Sequence, residues 1–217
     1  MSSYAGYGQR TAAPAGAVRV AGRWGLLAGV TGLAGSILLM VMFATADYGT
    51  QAWTGTGSDV IGGIVSDLAM IPVAVALLAV CGRSRGLGAI TSLTVLGMAA
   101  MAVVSLLYVL GILPFGAQLT VSAVGLVLIA GWLLAIGRAG RRRGRLPRRV
   151  AAWAQALGLA GLAGMLLLAA SAAAPAGSWT RMTLDAVWRL LAGAAFLAYP
   201  VWLIALSQRL PGHAARG

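Results

Sequence analysis

The chain has almost none of the side chains on which redox and metal chemistry depend. It contains one cysteine, Cys81, and one histidine, His213, and it contains no lysine, glutamate or asparagine. A single cysteine excludes an intrachain disulfide and a paired-thiol redox site. A single histidine cannot supply two axial haem ligands, and no HExxH motif or histidine–carboxylate cluster is present for zinc or iron. The sequence therefore predicts no cofactor and no metal site.

Charge is also scarce, and it is mostly of one sign. Only 9% of the 217 residues are charged and 60% are hydrophobic, whereas about a quarter of the residues in soluble domains are charged. Sixteen arginines against four aspartates give a net charge of +12. No basic segment lies in a soluble domain large enough to bind nucleic acid. The composition predicts a membrane protein whose counter-charge is anionic lipid.

Six apolar segments follow one another, each close to the roughly 20 residues that a helix needs to cross the hydrocarbon core. The first ends in Ala44-Thr45-Ala46, which resembles a signal-peptidase site, but it is longer than a secretory signal and we predict a retained helix. We predict an all-α bundle of six transmembrane helices at 24–208, with a disordered tail at 1–23 and a short tail at 209–217. The predicted helices cover residues 24–46, 59–81, 87–113, 117–137, 150–172 and 184–206.

The orientation of the bundle follows from seven arginines at residues 138–149, because such a cluster stays on the cytoplasmic side. Fourteen arginines are then cytoplasmic, and Arg181 and Arg189 are outside. We predict a bacterial inner-membrane protein with both termini in the cytoplasm. The arginines predicted to contact anionic lipid of the inner leaflet are Arg138, Arg141, Arg142, Arg143, Arg145, Arg148 and Arg149. Tryptophans are predicted at the inner headgroups (Trp24, Trp132, Trp153, Trp202) and at the outer ones (Trp53, Trp179, Trp188).

The last two helices partly repeat the first two. Tryptophan, aspartate, proline and arginine recur in the same order, which indicates duplicated helical hairpins. Pro72 and Pro200 are equivalent in this repeat, and both free a backbone carbonyl, so they are candidate hinges. Small residues four apart predict close helix contacts in the first and fifth helices. The equivalent residues are Trp24 with Trp153, Trp53 with Trp179, Asp59 with Asp185, Pro72 with Pro200, and Arg83 with Arg209.

Asp67 and Arg189 are the ionisable residues that these boundaries place inside helices, and such residues carry a functional hypothesis by default. Asp67 has two interpretations. It is an embedded acid, or Ser66 caps a shortened helix and Asp67 lies in its first turn. Arg189 pairs either with Asp185 one turn earlier or with Asp67 across helices. We predict that Asp67 lies near the outer helix ends, close enough to Arg189 for a direct or water-bridged contact.

Short motifs in the second, third and sixth helices carry a resemblance to a known group of proteins. The motifs are Val65-Ser66-Asp67-Leu68, Gly111-Ile112-Leu113-Pro114, Trp188-Arg189-Leu190 and Trp202-Leu203-Ile204-Ala205-Leu206. They resemble an uncharacterised family of six-helix bacterial and archaeal membrane proteins that is itself similar to the DRAM/Frag1/Sfk1 group. The resemblance implies a six-helix bundle with a lipid-related role, and it implies an interfacial Asp67.

Three classes of function remain open from the sequence. The leading hypothesis is a non-enzymatic membrane protein that binds lipid, a membrane protein partner or a second copy of itself, because its loops are too short for soluble chemistry. A small transporter or channel would use the second and sixth helices with their prolines and embedded acid. A membrane enzyme acting on a lipid or isoprenoid would use Asp67 as its acid, with Asp185 or Arg189 beside it.

The charge distribution generates a prediction about topology. Cysteines introduced singly within residues 138–149 should be protected from impermeant thiol reagents in intact cells, whereas cysteines at Thr54 or Ser178 should be labelled. The reason is that an arginine cluster is retained on the cytoplasmic side. Labelling of the arginine loop from outside the cell would reverse the predicted orientation.

Overall fold

The computed structural model describes residues 14–44 and 53–214, where all regular structure is helical. Six helices within these ranges are long and apolar enough to cross a membrane, which confirms the predicted fold class. The second helix, α2, is continuous through three segments, Trp53–Gly57, Ser58–Val65 and Ser66–Cys81. The other helices are α1 (Ala15–Ala44), α3 (Arg85–Val109), α4 (Phe115–Arg142), α5 (Arg148–Ala173) and α6 (Trp179–Ala214).

Both terminal helices extend beyond the predicted boundaries. α1 begins directly after Pro14. No proline lies between Pro14 and Trp24 to interrupt the helix, and Val18 and Ala21 are buried against the bundle. α6 continues past the predicted end and fully buries Leu210. These two helical extensions therefore belong to the bundle and not to the tails. The rest of the predicted tails, residues 1–13 and 215–217, lies outside the described residues.

The six helices form a ring in which each helix packs against its neighbours in sequence and α6 closes on α1. One end of the ring carries the turn after Cys81, the loop after α4 and the C-terminal turn of α6. There the His213 Nε2 atom lies 3.1 Å from the Gly144 carbonyl oxygen. We call this the arginine end, and we call the opposite end, near Asp59 and Asp185, the aspartate end.

The interior of the ring changes in character along its length. Large apolar side chains are fully buried towards the arginine end, whereas towards the aspartate end the buried side chains are mainly small or polar. The fully buried apolar residues include Leu77, Trp132, Ile136, Leu146, Trp202, Leu203, Leu206 and Leu210. The buried polar residues towards the aspartate end are Ser36, Thr54, Ser58, Ser66, Ser105, Gln118 and Ser171. Because Thr54 is buried, Ser178 is the better position for labelling this end.

Two tryptophans predicted at the headgroups lie in the core instead. Trp132 and Trp202 are fully buried, and the Trp202 Nε1 donates a hydrogen bond of 3.0 Å to the carbonyl of Val150. Because the neighbouring helix offers this backbone acceptor, the indole N–H of Trp202 does not need to reach water. Trp24 and Trp179 remain exposed, as an interfacial position requires.

α1 approaches two other helices through glycine. A Cβ atom on Gly29 would lie 2.8 Å from the Pro200 carbonyl oxygen of α6. A Cβ atom on Gly35 would lie 2.7 Å from the backbone nitrogen of Gly62 in α2 and closer still to its Cα atom. Gly158 of α5 has an equally close neighbour in the carbonyl of Ala130. The predicted small-residue interfaces of the first and fifth helices are therefore confirmed.

The middle of α2 is a π-helix from Ser58 to Val65. Its wide turn is completed by the Ser66 N–H, which donates to the carbonyl of Ile61, five residues earlier. Gly62 and Gly63 lie inside this segment, where α1 crosses it and where glycine lowers the stability of an ordinary α-helix. π-Helical turns are rare and occur frequently at functional sites. The preceding segment Trp53–Gly57 begins the helix earlier than the predicted start at residue 59, so Asp67 lies midway along the span Thr54–Cys81.

The proposed hinge prolines both lie inside continuous helices. Pro72 is half-buried, whereas Pro200 is buried against α1, where its Cγ atom would lie 3.2 Å from a Cβ on Gly32. The hinge role of the two prolines and the duplication of the two hairpins remain predictions.

The crossing of α1 and α2 predicts a large effect from a single methyl group. Gly35→Ala should lower the free energy of unfolding by about 1 to 3 kcal/mol, because the added carbon overlaps the backbone of Gly62. Thermal unfolding in detergent measures this change. Gly193→Ala is the matched control, since a Cβ on this helical glycine would have no neighbour within 4 Å. Equal effects of the two substitutions would show that the crossing is not tightly packed.

Candidate functional site

A pocket of about 290 Å³ opens at the arginine end between the start of α3 and the end of α4. Arg138 and Arg142 lie one helical turn apart on α4, and Arg143 follows at its C-terminus. Ser84 caps α3 from the other side, where its Oγ atom accepts a hydrogen bond of 3.3 Å from the Leu87 N–H. The residues that line the pocket are Ser84, Leu87, Ala135, Arg138, Ala139, Arg142 and Arg143.

Arg143 is held in place by the end of α2. Its Nη1 donates to the carbonyl of Cys81 and, at 2.5 Å, to the carbonyl of Gly82. Gly82 has a φ of +82°, and a Cβ atom there would lie 2.7 Å from the same Nη1. Only glycine combines this backbone conformation with room for the guanidinium group. The contact satisfies two carbonyl groups that the end of α2 leaves without helical donors.

The pocket has positive charge without a matching negative charge from the described residues. Three of the four aspartates, Asp59, Asp67 and Asp185, belong to the described ranges, and none of them lines the pocket. Within the described ranges, no hydrogen bond or ion pair is formed by Arg138 or Arg142. Of the other arginines predicted to contact lipid, Arg145 is half-buried and Arg141, Arg148 and Arg149 are exposed. The structure thus gathers three of the seven predicted arginines around one pocket.

Asp67 lies in the interior of a continuous helix and not in its first turn. Ser66 has helical backbone angles and makes no capping bond. Its Oγ donates instead to the carbonyl of Ala28 in α1, at 3.1 Å. The capping hypothesis is therefore wrong, as is the interfacial placement of Asp67, because the π-helix extends α2 beyond the predicted start.

The predicted contact of Asp67 with Arg189 is not formed. Asp67 Oδ2 is buried and has no hydrogen-bond partner among the described residues. Arg189 is exposed and acts electrostatically on Asp185 of its own helix. Asp185 also accepts hydrogen bonds from Ser171 of α5 and from the Trp188 Nε1, the latter at 3.2 Å. Among the described residues, Asp67 Oδ2 therefore has no arginine partner.

The neighbour that Asp67 does have is Tyr199. The two side chains are close enough to interact electrostatically, and the Tyr199 hydroxyl is likewise buried without a hydrogen-bond partner in the described part of the chain. Tyr199 stacks on Trp202 with 6.2 Å between ring centroids. Sequence reasoning missed Tyr199, although its position beside Pro200 was a usable signal.

A second polar contact joins three helices nearer the aspartate end. The Gln118 Nε2 of α4 donates to Asp59 Oδ1 of α2 at 2.9 Å, and Ser105 Oγ of α3 lies 3.5 Å from the same nitrogen. Gln118 Oε1 is buried without a partner in the described residues. No sequence pattern joins these residues, because they lie far apart in the chain and belong to no recognisable motif.

No family model, no curated protein and no solved structure matches this chain. The resemblance to the six-helix family and to the DRAM/Frag1/Sfk1 group therefore remains a prediction.

The position of Asp67 predicts that substitutions of Asp67 and of Arg189 affect stability independently. The effects of Asp67→Asn and Arg189→Gln on stability in detergent should add within about 0.5 kcal/mol, because the two side chains share no partner. Ser171→Ala and Asp185→Asn provide the comparison, and their effects should not add, since Ser171 donates to Asp185. A coupling between Asp67 and Arg189 as strong as that of the comparison pair would contradict this structure.

Proposed function

We propose that the protein is a non-enzymatic inner-membrane protein that binds an anionic lipid headgroup at the arginine end, with this end in the cytoplasm. The observation that carries the proposal is the pocket of Arg138, Arg142 and Arg143, which has no acidic side chain in its lining. Arginine presents a planar fork of N–H donors that matches the oxygen atoms of a phosphate group. Basic pockets between helices near the cytoplasmic surface bind phosphorylated headgroups in other membrane proteins.

The start of α3, where Ser84 and Leu87 line the pocket, brings uncharged donors close to it. The first N–H groups of a helix have no helical acceptor and carry a partial positive charge. Ser84 Oγ and Ser84 O satisfy the N–H groups of Leu87 and Gly88, which leaves those of Arg85 and Gly86 to other acceptors. Gly86 has no side chain to cover them, and a Cβ there would have no neighbour within 4 Å. A phosphate in the pocket supplies these acceptors.

The start of α5, the helix after α4, also favours an external anion. Here the reason is positive side-chain charge and not free N–H donors. Arg148 and Arg149 occupy its first turn, which contains no acidic residue. Positive charge at a helix N-terminus is unfavourable because it adds to the positive end of the helix dipole. Anionic headgroups around this turn reduce that repulsion. The arginine loop therefore favours lipid over a protein partner, which would have to bring a large acidic surface to the membrane.

Lipid titration with detection by native mass spectrometry tests the proposal. The purified protein should bind one phosphatidylglycerol molecule saturably and should not bind phosphatidylcholine in this way. Arg138→Gln with Arg142→Gln should weaken the binding about 10- to 30-fold, because each basic residue contributes about 1 kcal/mol near the surface.

The control variant removes the same charge from the same end of the bundle. Arg19→Gln with Arg23→Gln changes two exposed arginines of α1 that do not line the pocket. This variant should weaken binding less than threefold. Equal losses of lipid affinity in the two double variants would show that the headgroup is attracted to the positive charge of the whole arginine end and not to the pocket. The absence of saturable binding would refute the proposal.

A further inference from the structure

Three side-chain oxygen atoms in the described part of the bundle lack the hydrogen bonds that buried oxygen atoms normally make, and Gln118 Oε1, nearer the aspartate end, is one of them. Asp67 Oδ2 and the Tyr199 hydroxyl are both buried, and neither has a partner among the described residues. A buried polar group without a partner costs about 1 to 3 kcal/mol, and a buried charge costs more. The residues next to them in sequence, Ser66 and Pro200, both face Gly32 of α1. A ligand that binds both oxygen atoms removes the energetic cost of leaving each of them without a partner.

The contact of α1 with α2 and α6 holds the two residues beside the same part of α1. A Cβ atom on Gly32 would lie 3.0 Å from Ser66 Oγ and 3.2 Å from Pro200 Cγ. Ser66 and Pro200 are therefore held against the same glycine, and each is next in sequence to one member of the pair. The hydrogen bond from Ser66 to the carbonyl of Ala28 holds α2 in this position. The pair is thus part of a rigid three-helix junction.

The two prolines leave backbone oxygen atoms without helical donors on the same two helices, each within one turn of a member of the pair. Pro72 has no N–H, so the carbonyl of Leu68, the residue after Asp67, loses its helical donor. Pro200, the residue after Tyr199, has the same effect on the carbonyl of Phe196. A carboxylate, a phenol and two carbonyl groups supply mainly acceptors. A site rich in acceptors and poor in donors suits a hard cation, and carbonyls at interrupted membrane helices coordinate Na⁺ in transporters.

We propose that Asp67 and Tyr199 form a binding site for a small monovalent cation such as Na⁺ between α2 and α6. One carboxylate balances one positive charge, so that the occupied site is neutral. A divalent cation would leave a net charge inside an apolar bundle, which is unfavourable. The site is independent of the lipid pocket, which lies at the arginine end.

The distribution of buried side chains determines the end from which the cation enters. Ser58, Ser105 and Gln118 lie between Asp67 and the aspartate end, and Asp59 provides negative charge there. In the other direction Leu77, Trp132, Trp202, Leu203 and Leu206 are fully buried. The arginines beyond them also repel cations. The site is therefore reached from the aspartate end and closed towards the arginine end.

Thermal unfolding of the full-length protein in detergent tests this site. NaCl is titrated against choline chloride at constant ionic strength, so that only the small cation changes. The wild-type melting temperature should rise saturably, by about 5 °C or more at one hundred times the half-saturating concentration. Asp67→Asn should abolish the rise, and Tyr199→Phe should increase the half-saturating concentration about tenfold. Asp185→Asn is the matched control and should leave the rise unchanged.

Each outcome decides for or against the cation. A wild-type melting temperature that is the same in NaCl and choline chloride would overturn the proposal and leave water or a neutral, protonated Asp67 as the occupant. A rise that persists in Asp67→Asn would place the cation elsewhere. If Asp67→Asn does not fold, the half-saturating NaCl concentration of Tyr199→Phe tests the site instead. A value unchanged from that of the wild type would refute the proposed site. None of these results depends on lipid binding at the arginine end.

Discussion

The close approach of the α1 backbone to α2 and α6 is the contact on which the other features of the bundle depend. Lipid tails are as apolar as leucine, so hydrophobicity does not drive helices together in a membrane and close packing becomes decisive. Gly29, Gly32 and Gly35 lie along one side of α1 and provide this packing, with α6 at the first, both helices at the second and α2 at the third. Because α1 fixes both partners, it also fixes the position of Asp67 relative to Tyr199.

Side-chain donors connect the helices by reaching backbone carbonyls of other helices. Ser66 donates to Ala28, Trp202 donates to Val150, and Arg143 donates to Cys81 and Gly82. Thr94 of α3 similarly donates to Leu128 of α4, at 3.1 Å. A carbonyl can accept a second hydrogen bond while it keeps its helical one, so these contacts do not interrupt the helices. They orient neighbouring helices where apolar packing alone permits sliding and rotation.

Apolar run length, charge asymmetry and small-residue spacing were sufficient for six helices, for the concentration of arginine at one end and for the α1 interface. They were insufficient for α2, because glycine, serine and threonine before Asp59 are typical of a loop. A π-helix formed against α1 overrides that tendency, and it moved Asp67 from a predicted cap to the middle of a span. Trp132 and Trp202 were misplaced for a related reason. Composition gives a tryptophan an amphipathic preference, but only the packed bundle shows that Trp132 is fully buried and that Val150 offers Trp202 a backbone acceptor.

The clamp of Arg143 on the end of α2 has a mechanical consequence. α2 is one continuous helix from Trp53 to Cys81, and Arg143 holds the carbonyls of Cys81 and Gly82 at its end. A tilt of α2 therefore carries Arg143 with it, while Arg138 stays on α4, and the spacing of the guanidinium groups changes.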